Sequence, residues 1–281
     1  MSSKILQRLE NNSQTVERGM ERFLGKTDSD IAVLFDSMRY SGLMGGKRIR
    51  PTLTLEFCRA LGGDEEAALR YGCALEMIHT YSLIHDDLPC MDNDDFRRGK
   101  PSNHKKFGEA TALLAGDALL TMAFETACGD SATAGCDIAA VKVLAECAGA
   151  FGMIGGQQLD LDFEKGAPEF DLFLKMNALK CGELIRGACL LGCIAAGKKD
   201  DAEIMKAAES YAYGVGVAFQ VEDDLLDIGE ENKTTFLSYM SEAEARAYAE
   251  KLTADAKAAV ESFDGEGVLC GIADYLVYRE N

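Results

Sequence analysis

The sequence twice ends a mainly apolar, helix-compatible run on a pair of acids: Ser82-Leu83-Ile84-His85-Asp86-Asp87-Leu88 and Phe219-Gln220-Val221-Glu222-Asp223-Asp224-Leu225. No other feature constrains the fold as strongly. Asp223, Asp224 and Asp227 sit among Leu225, Leu226, Ile228, Phe219 and Val221, where a carboxylate is costly unless a counter-ion meets it. Asp223 and Asp227 stand about one helical turn apart, so both carboxylates share a face and repel each other. A lone acidic pair usually marks a solvated helix end; the apolar setting argues here for a metal or a cationic ligand. Two such helices are satisfied together if they face each other across one cavity.

The rest of the chain reads as helix. Leu53, Phe57, Ala60 and Leu61 recur every three to four residues, as do Leu113, Leu114, Ala118 and Met122. Ser241–Val260 is rich in Ala, Glu and Lys, which favour helix. Gly62-Gly63, Gly129-Asp130 and Gly197-Lys198-Lys199-Asp200 read as helix ends followed by turns. Alternating β-branched and polar segments are nearly absent. The expectation is an all-α bundle of about ten helices around a central cavity. With 281 residues, 4 prolines and no Pro- or Ser-rich linker, it should be one domain over residues 1–281.

The formal charge of −18 speaks against a nucleic-acid binder and against an anionic membrane surface. A polyanionic substrate would then have to be held by metal ions or local cations. The 10 cysteines form no CxxC and no zinc-spaced cluster. The start MSSKILQRLENN lacks the apolar stretch of a signal peptide, so reduced thiols in a cytoplasmic enzyme fit best. The apolar run Gly187–Gly197 falls short of the ~20 residues that cross a bilayer, and no membrane span is expected.

The first cluster reads HDDLPCMDNDD, with Asp86, Asp87, Asp92, Asp94 and Asp95. Oxygen donors without His or Cys select a hard cation, and the expectation is Mg²⁺, which commonly bridges carboxylates and substrate phosphates. Such ions turn an acidic cavity into a diphosphate trap. On an unbroken helix Asp86 and Asp92 would lie on different faces, but Pro89 between them removes a helical hydrogen bond. A local distortion that turns Asp92 back toward Asp86 is expected. Lys47 and Arg50, beside Pro51, suit a helix N-terminus that receives an anion. The adjacent Arg97 and Arg98 point different ways and suit two neighbouring anions.

Over nearly its whole length the chain resembles the short-chain trans-isoprenyl diphosphate synthases, the bacterial farnesyl and geranylgeranyl diphosphate synthases. The matching pieces, in order, are GGKRIRP (45–51), EMIHTYSLIHDDLPCMDNDDFRRGKPSNHKKFGE (76–109), LAGDALL (114–120), GGQQLDL (155–161), LKCGELIR (179–186), FQVEDDLLD (219–227) and ADYLVYREN (273–281). The resemblance implies that Lys47, Arg50, His79 and Arg98 hold isopentenyl diphosphate. It implies that Arg97, Lys180, Cys181, Gln220 and Lys233 contact the allylic diphosphate. Asp86, Asp92 and Asp223 would be the metal ligands, with Asp87 and Asp227 orienting ligands or reaching metal through water. His85 and His104 remain structural. A homodimer is implied in the same way. Two departures stand out: only IGEEN separates Asp227 from Lys233, where the family usually has a longer loop. Cys181 replaces the usual Thr, which loses a hydroxyl contact.

The implied reaction is ionisation of the allylic diphosphate followed by attack of the isopentenyl double bond, assisted by Asp86, Asp92, Asp223, Arg97 and Lys180. Tyr81, about 7.5 Å along the helix from Asp86, would floor the product tunnel and favour farnesyl diphosphate, with geranylgeranyl diphosphate as the alternative. From other classes, an HD-type metal phosphohydrolase would use His79, His85 and Asp86, but it normally needs another His from elsewhere, the sequence holds only 3, and the second acidic cluster would have no role. A terpene cyclase would not need Lys47 and Arg50. A non-catalytic helical partner subunit would be signalled by lost aspartates; both clusters are complete, and the shortened loop after Asp227 is what keeps that alternative open.

Overall fold

The structure is a computed structural model that describes residues 3–129, 137–163, 166, 168–226 and 234–278. Among the described residues it is all-α, with thirteen α-helices: α1 Ser3–Phe23, α2 Ala32–Gly42, α3 Ile49–Ala60, α4 Glu65–Asp86, α5 Asn103–Phe107, α6 Glu109–Cys128, α7 Ile138–Ala148, α8 Met153–Phe163, α9 Phe170–Asn177, α10 Glu183–Ala195, α11 Ala202–Leu226, α12 Glu242–Val260 and α13 Val268–Val277. The expected number was lower because several short helices interrupt the longer ones. The one described β element is a two-residue antiparallel ribbon pairing Phe96-Arg97 with Lys100-Pro101.

The helix stops lie where glycine allows them. α3, α6 and α10 are followed by Gly62, Gly129 and Gly197 at φ of 70°, 67° and 70°, a region that a Cβ disfavours. α12 begins with a reciprocal capping box between Ser241 and Glu244.

The central helices α3, α4 and α10 carry the core. Leu53, Phe57, Leu75, Met77, Ile78 and Leu191 are fully excluded from solvent there. α1 is tied to α3 through Glu56, whose buried carboxylate accepts from Arg8 Nε (2.8 Å), Asn12 Nδ2 (2.6 Å) and Arg59 Nη1 (2.6 Å). A carboxylate this deep persists because every side of it is met by a donor. A second, aromatic core of Phe173, Phe236 and the partly buried Tyr239 packs against Val217, Val221 and Leu225 on the C-terminal half of α11. That core holds the end of α11 in place. Asp224 Oδ2 accepts from the Phe236 amide at 2.6 Å, so the chain beyond residue 233 is fastened directly to the acidic end.

Leu113, Leu114, Ala118 and Met122 do lie in a helix, α6, but Leu113 and Leu114 are 46% and 56% exposed; it is Ala112, Ala115, Leu119 and Ala123 that α6 buries. Apolar length is also not confined to Gly187–Gly197. Glu109–Cys128 and Ile138–Phe163 are each long and apolar enough to cross a membrane by length and composition. Here α6 lies along α4, and the second stretch is broken into α7 and α8.

Candidate active site

α4 ends at Asp86, and Pro89 follows within a turn. The chain then reverses: the Asp92 amide donates to the Asp86 carbonyl at 2.9 Å, and Asn93 takes a left-handed φ of 55°. The distortion expected at Pro89 is thus a full helix end, and it brings Asp92 back beside Asp86. Asp86 is pushed up to about 6, first by burial, with Asp92 and Asp87 adding to the rise and Lys180 and Arg97 opposing it. A carboxyl group in that state is short of positive charge.

Arg97 is presented by the ribbon. Its guanidinium donates to the buried Asp87 carboxylate through Nε at 3.0 Å and more closely through Nη2, and Asp94 lies 3.7 Å away. Asp87 therefore acts as the seat of Arg97, which leans toward Asp86 electrostatically. The ribbon is held from α2, where Asn103 bonds Ser37 and Ser41, and Tyr40 Oη donates to the Pro101 carbonyl.

Lys180 and Cys181 sit in a π-helical turn, Ala178–Gly182, between α9 and α10. Single π turns inside helices re-aim side chains and concentrate at functional sites. A Cβ on Gly156 of α8 would lie 2.2 Å from the Lys180 backbone nitrogen, so only glycine lets α8 pass this close. Lys180 Nζ donates to Asp160 in a short bond. Burial would lower the lysine, but Asp160 and, less strongly, Asp86 raise it, so it stays charged. Asp160 lies in the GGQQLDL segment, yet its role as the partner of Lys180 was not readable there; the repeated acid in LDLD was the one signal available.

The second cluster joins the first through this turn. The Cys181 thiol donates to Gln220 Oε1 at 3.3 Å, and Gln220 Nε2 reaches Asp223 Oδ2 at 3.5 Å. Burial raises the Cys181 thiol above its ordinary value, so it serves as a neutral donor. Asp86 and Asp223 thus belong to one connected group, by way of Lys180, Cys181 and Gln220. Asp227 and Lys233 lie outside the described residues.

Lys47, Arg50, His79 and Arg98 gather around one cavity of about 350 Å³, also lined by Arg48, Glu76 and Phe219. Arg50 is on the first turn of α3 and His79 on α4. Their nitrogens lie 3.4 Å apart. Arg50 has only donors, so it donates to His79 Nε2, and the imidazole proton resides on Nδ1. Burial and then the surrounding arginines hold His79 well below its ordinary value, keeping it neutral. Arg98 donates to the Gly45 carbonyl and passes so close to Gly46 that a Cβ there would meet the guanidinium at 2.8 Å.

The other histidines face elsewhere. His85 Nε2 lies 3.1 Å from the Leu113 carbonyl, and His104 Nδ1 lies 3.0 Å from Ser102 Oγ. Tyr81 is 5% exposed, with its ring edge-on to His85 at 5.6 Å, and its hydroxyl has no partner among the described residues.

Asp86, Asp92 and Asp223 carry oxygen donors of the kind Mg²⁺ takes, and Asp86, only partly offset by Lys180 and Arg97, fits such an ion. Among the described residues no three acidic, His or Cys side chains converge closely enough to enclose a metal alone.

Comparison with known proteins agrees with this geometry. Residues 31–238 match the polyprenyl synthetase family. The chain is 40% identical over 274 residues to the heterodimeric geranylgeranyl pyrophosphate synthase large subunit 1, chloroplastic, of Arabidopsis thaliana, covering 88% of this chain and 72% of that protein. It is 41% identical over 238 residues to the farnesyl diphosphate synthase of Bacillus subtilis, covering 83% and 79% respectively. The apo crystal structure of an FPP/GFPP synthase from Zymomonas mobilis superposes with a TM-score of 0.91 at 38% identity, covering 99% of this chain and all of that one. An all-α bundle with this paired acid-and-cation site, matched along most of its length, places the chain in the polyprenyl synthetase family, among the short-chain trans-isoprenyl diphosphate synthases.

Proposed function

We propose that this enzyme joins dimethylallyl or geranyl diphosphate to isopentenyl diphosphate and that its main product is farnesyl diphosphate. The observation that carries the reading is the cation-lined cavity of Lys47, Arg50, His79 and Arg98, lined by other residues than the Asp86–Arg97–Lys180 group yet near enough for Arg97 to act on His79. The reaction needs two diphosphates side by side, one retained and one that departs. A terpene cyclase would have no use for the first cavity. His85 is tied to the Leu113 carbonyl and His104 to Ser102, which leaves a phosphohydrolase without its histidines.

In this reading Lys47, Arg50, His79 and Arg98 hold isopentenyl diphosphate, while Arg97, Lys180, Cys181 and Gln220 orient the allylic diphosphate. Asp86, Asp92 and Asp223 would hold Mg²⁺, whose positive charge stabilises the departing diphosphate when bound. Arg97 and Lys180 add fixed positive charge at the same oxygens, with no reorganisation required at the moment of cleavage. The lost proton goes to the released diphosphate, so no side chain is assigned as base. Tyr81, buried on α4 above His85, would limit the chain; geranylgeranyl diphosphate is the alternative product.

We treat residues 1–281 as one polyprenyl synthase domain, since α1 packs on both α3 and α13. The free state of the described cysteines supports a reducing, cytoplasmic setting. Leu114 on α6, Ile138 on α7, Phe151 in the turn before α8 and Ile154 on α8 are 56%, 76%, 94% and 47% exposed, which supports a homodimer.

Purified protein with Mg²⁺, labelled isopentenyl diphosphate and each allylic starter in turn should yield farnesyl diphosphate by chromatography. Chelation should abolish the product, and sedimentation should give the mass of two chains. If isopentenyl diphosphate stays unconsumed with every starter, the reading fails; a single-chain mass removes the dimer alone.

A further inference from the structure

We propose that the buried Glu76–Arg48 pair is the positioning unit of the isopentenyl diphosphate cavity, fixing the 45–50 strap so that Lys47 and Arg50 stand beside His79. The inference rests on the reading of that cavity given above.

An acid is unexpected there. A pocket that only traps an anion gains nothing from a carboxylate, yet Glu76 lines this one, 3% exposed, one turn before His79 on α4. Its Oε1 accepts from Arg48 Nη1 at 2.7 Å, and Arg48 Nη2 donates to the Gly42 carbonyl at 2.8 Å. Arg48 stands between the two residues that face the ligand, but its side chain is 1% exposed, and its backbone is left-handed at φ 49° and ψ 37°. A non-glycine residue holds that conformation when its surroundings impose it. Here the anchor is a guanidinium bridging the end of α2 and the middle of α4. The left-handed residue reverses the strap just before α3 begins, so Lys47 precedes the reversal and Arg50 follows it on the first turn. Arg98 pins the same strap from the other side through the Gly45 carbonyl.

Electrostatics point the same way. Burial pulls Arg50 below its ordinary value, and Glu76 is the largest influence that opposes this. The carboxylate therefore keeps several cations together before a diphosphate arrives. Stability alone does not account for the pair, because replacing a buried ion pair by apolar residues of similar size is often neutral or stabilising.

The test uses that property. The double variant Arg48→Met/Glu76→Leu removes both charges of the pair together and should fold, with a melting temperature within a few degrees of wild type. It is expected to raise KM for isopentenyl diphosphate about tenfold, while KM for the allylic starter stays within about twofold and kcat within about threefold. Glu76→Gln, which still accepts from Arg48 but brings no charge, should show the same split at smaller size. A merely structural pair would not separate the two KM values. An isopentenyl diphosphate KM within twofold of wild type in the folded double variant, or equal rises in both KM values, overturns the proposal. A wild-type enzyme without prenyl transfer overturns the underlying reading instead.

Discussion

Asp86→Asn is expected to lower kcat about a thousandfold and, at pH 7, to raise the melting temperature of the metal-free protein by a few degrees. Both effects come from one cause. Asp86 is pushed up to about 6 by burial and by its acidic neighbours, against an ordinary value of 3.8. Its folded value therefore lies above its unfolded one, and the native state binds more protons between about pH 4 and 6. Stability from this group increases as pH falls through that window and is lost above it. At pH 7 the ionised carboxylate costs the fold on the order of 3 kcal/mol. Asparagine removes that cost while keeping the shape, and removes the charge needed on the metal side of the site. Mg²⁺ with a diphosphate ligand stabilises wild type by mass action, so saturating both should narrow or reverse the difference. Calorimetry at pH 7 with and without Mg²⁺, beside a turnover assay, reads both arms. A variant that turns over like wild type, or that melts lower without metal, would sink the assignment.

Tyr81→Ala is expected to shift the main product from farnesyl to geranylgeranyl diphosphate or longer. The ring is buried and rests edge-on against His85, about 7.5 Å along α4 from Asp86 at regular helical rise. Truncation opens space below the point where the growing chain starts. Its hydroxyl has no partner among the described residues, so removing it strands no acceptor. The ring still contributes packing, and the alanine variant should lose about 3–5 kcal/mol of stability, typical for a buried aromatic. Tyr81→Phe is the control that keeps the ring, and it should still stop at farnesyl diphosphate. Sizing the dephosphorylated products distinguishes these cases; an unchanged distribution in the alanine variant removes Tyr81 from the account.

Much of the architecture was legible because its causes are local. Gly62, Gly129 and Gly197 stop helices by taking a left-handed φ, and Ser241 with Glu244 starts one. The family resemblance carried by the ordered motifs nominated Lys47, Arg50, His79, Arg98, Asp86, Asp92 and Asp223. Other features were hidden. Leu113 and Leu114 have the spacing of core residues, and nothing local shows that the adjacent stripe of small residues is what meets α4. Asp160 reads as one of two similar acids until the π turn brings Lys180 against it.

From its own chemistry the sequence determined the all-α class, the helix ends and the supply of carboxylates and cations, since each depends on residues within a few turns of one another. Only the tertiary structure decided which charges meet: Arg97 with Asp87, Lys180 with Asp160, and Arg48 with Glu76, leaving Arg50 for His79. The reason is physical. A charge takes the partner that folding brings within hydrogen-bond reach, and the segments that supply these partners lie 10, 20, 28 and 29 residues apart in the chain.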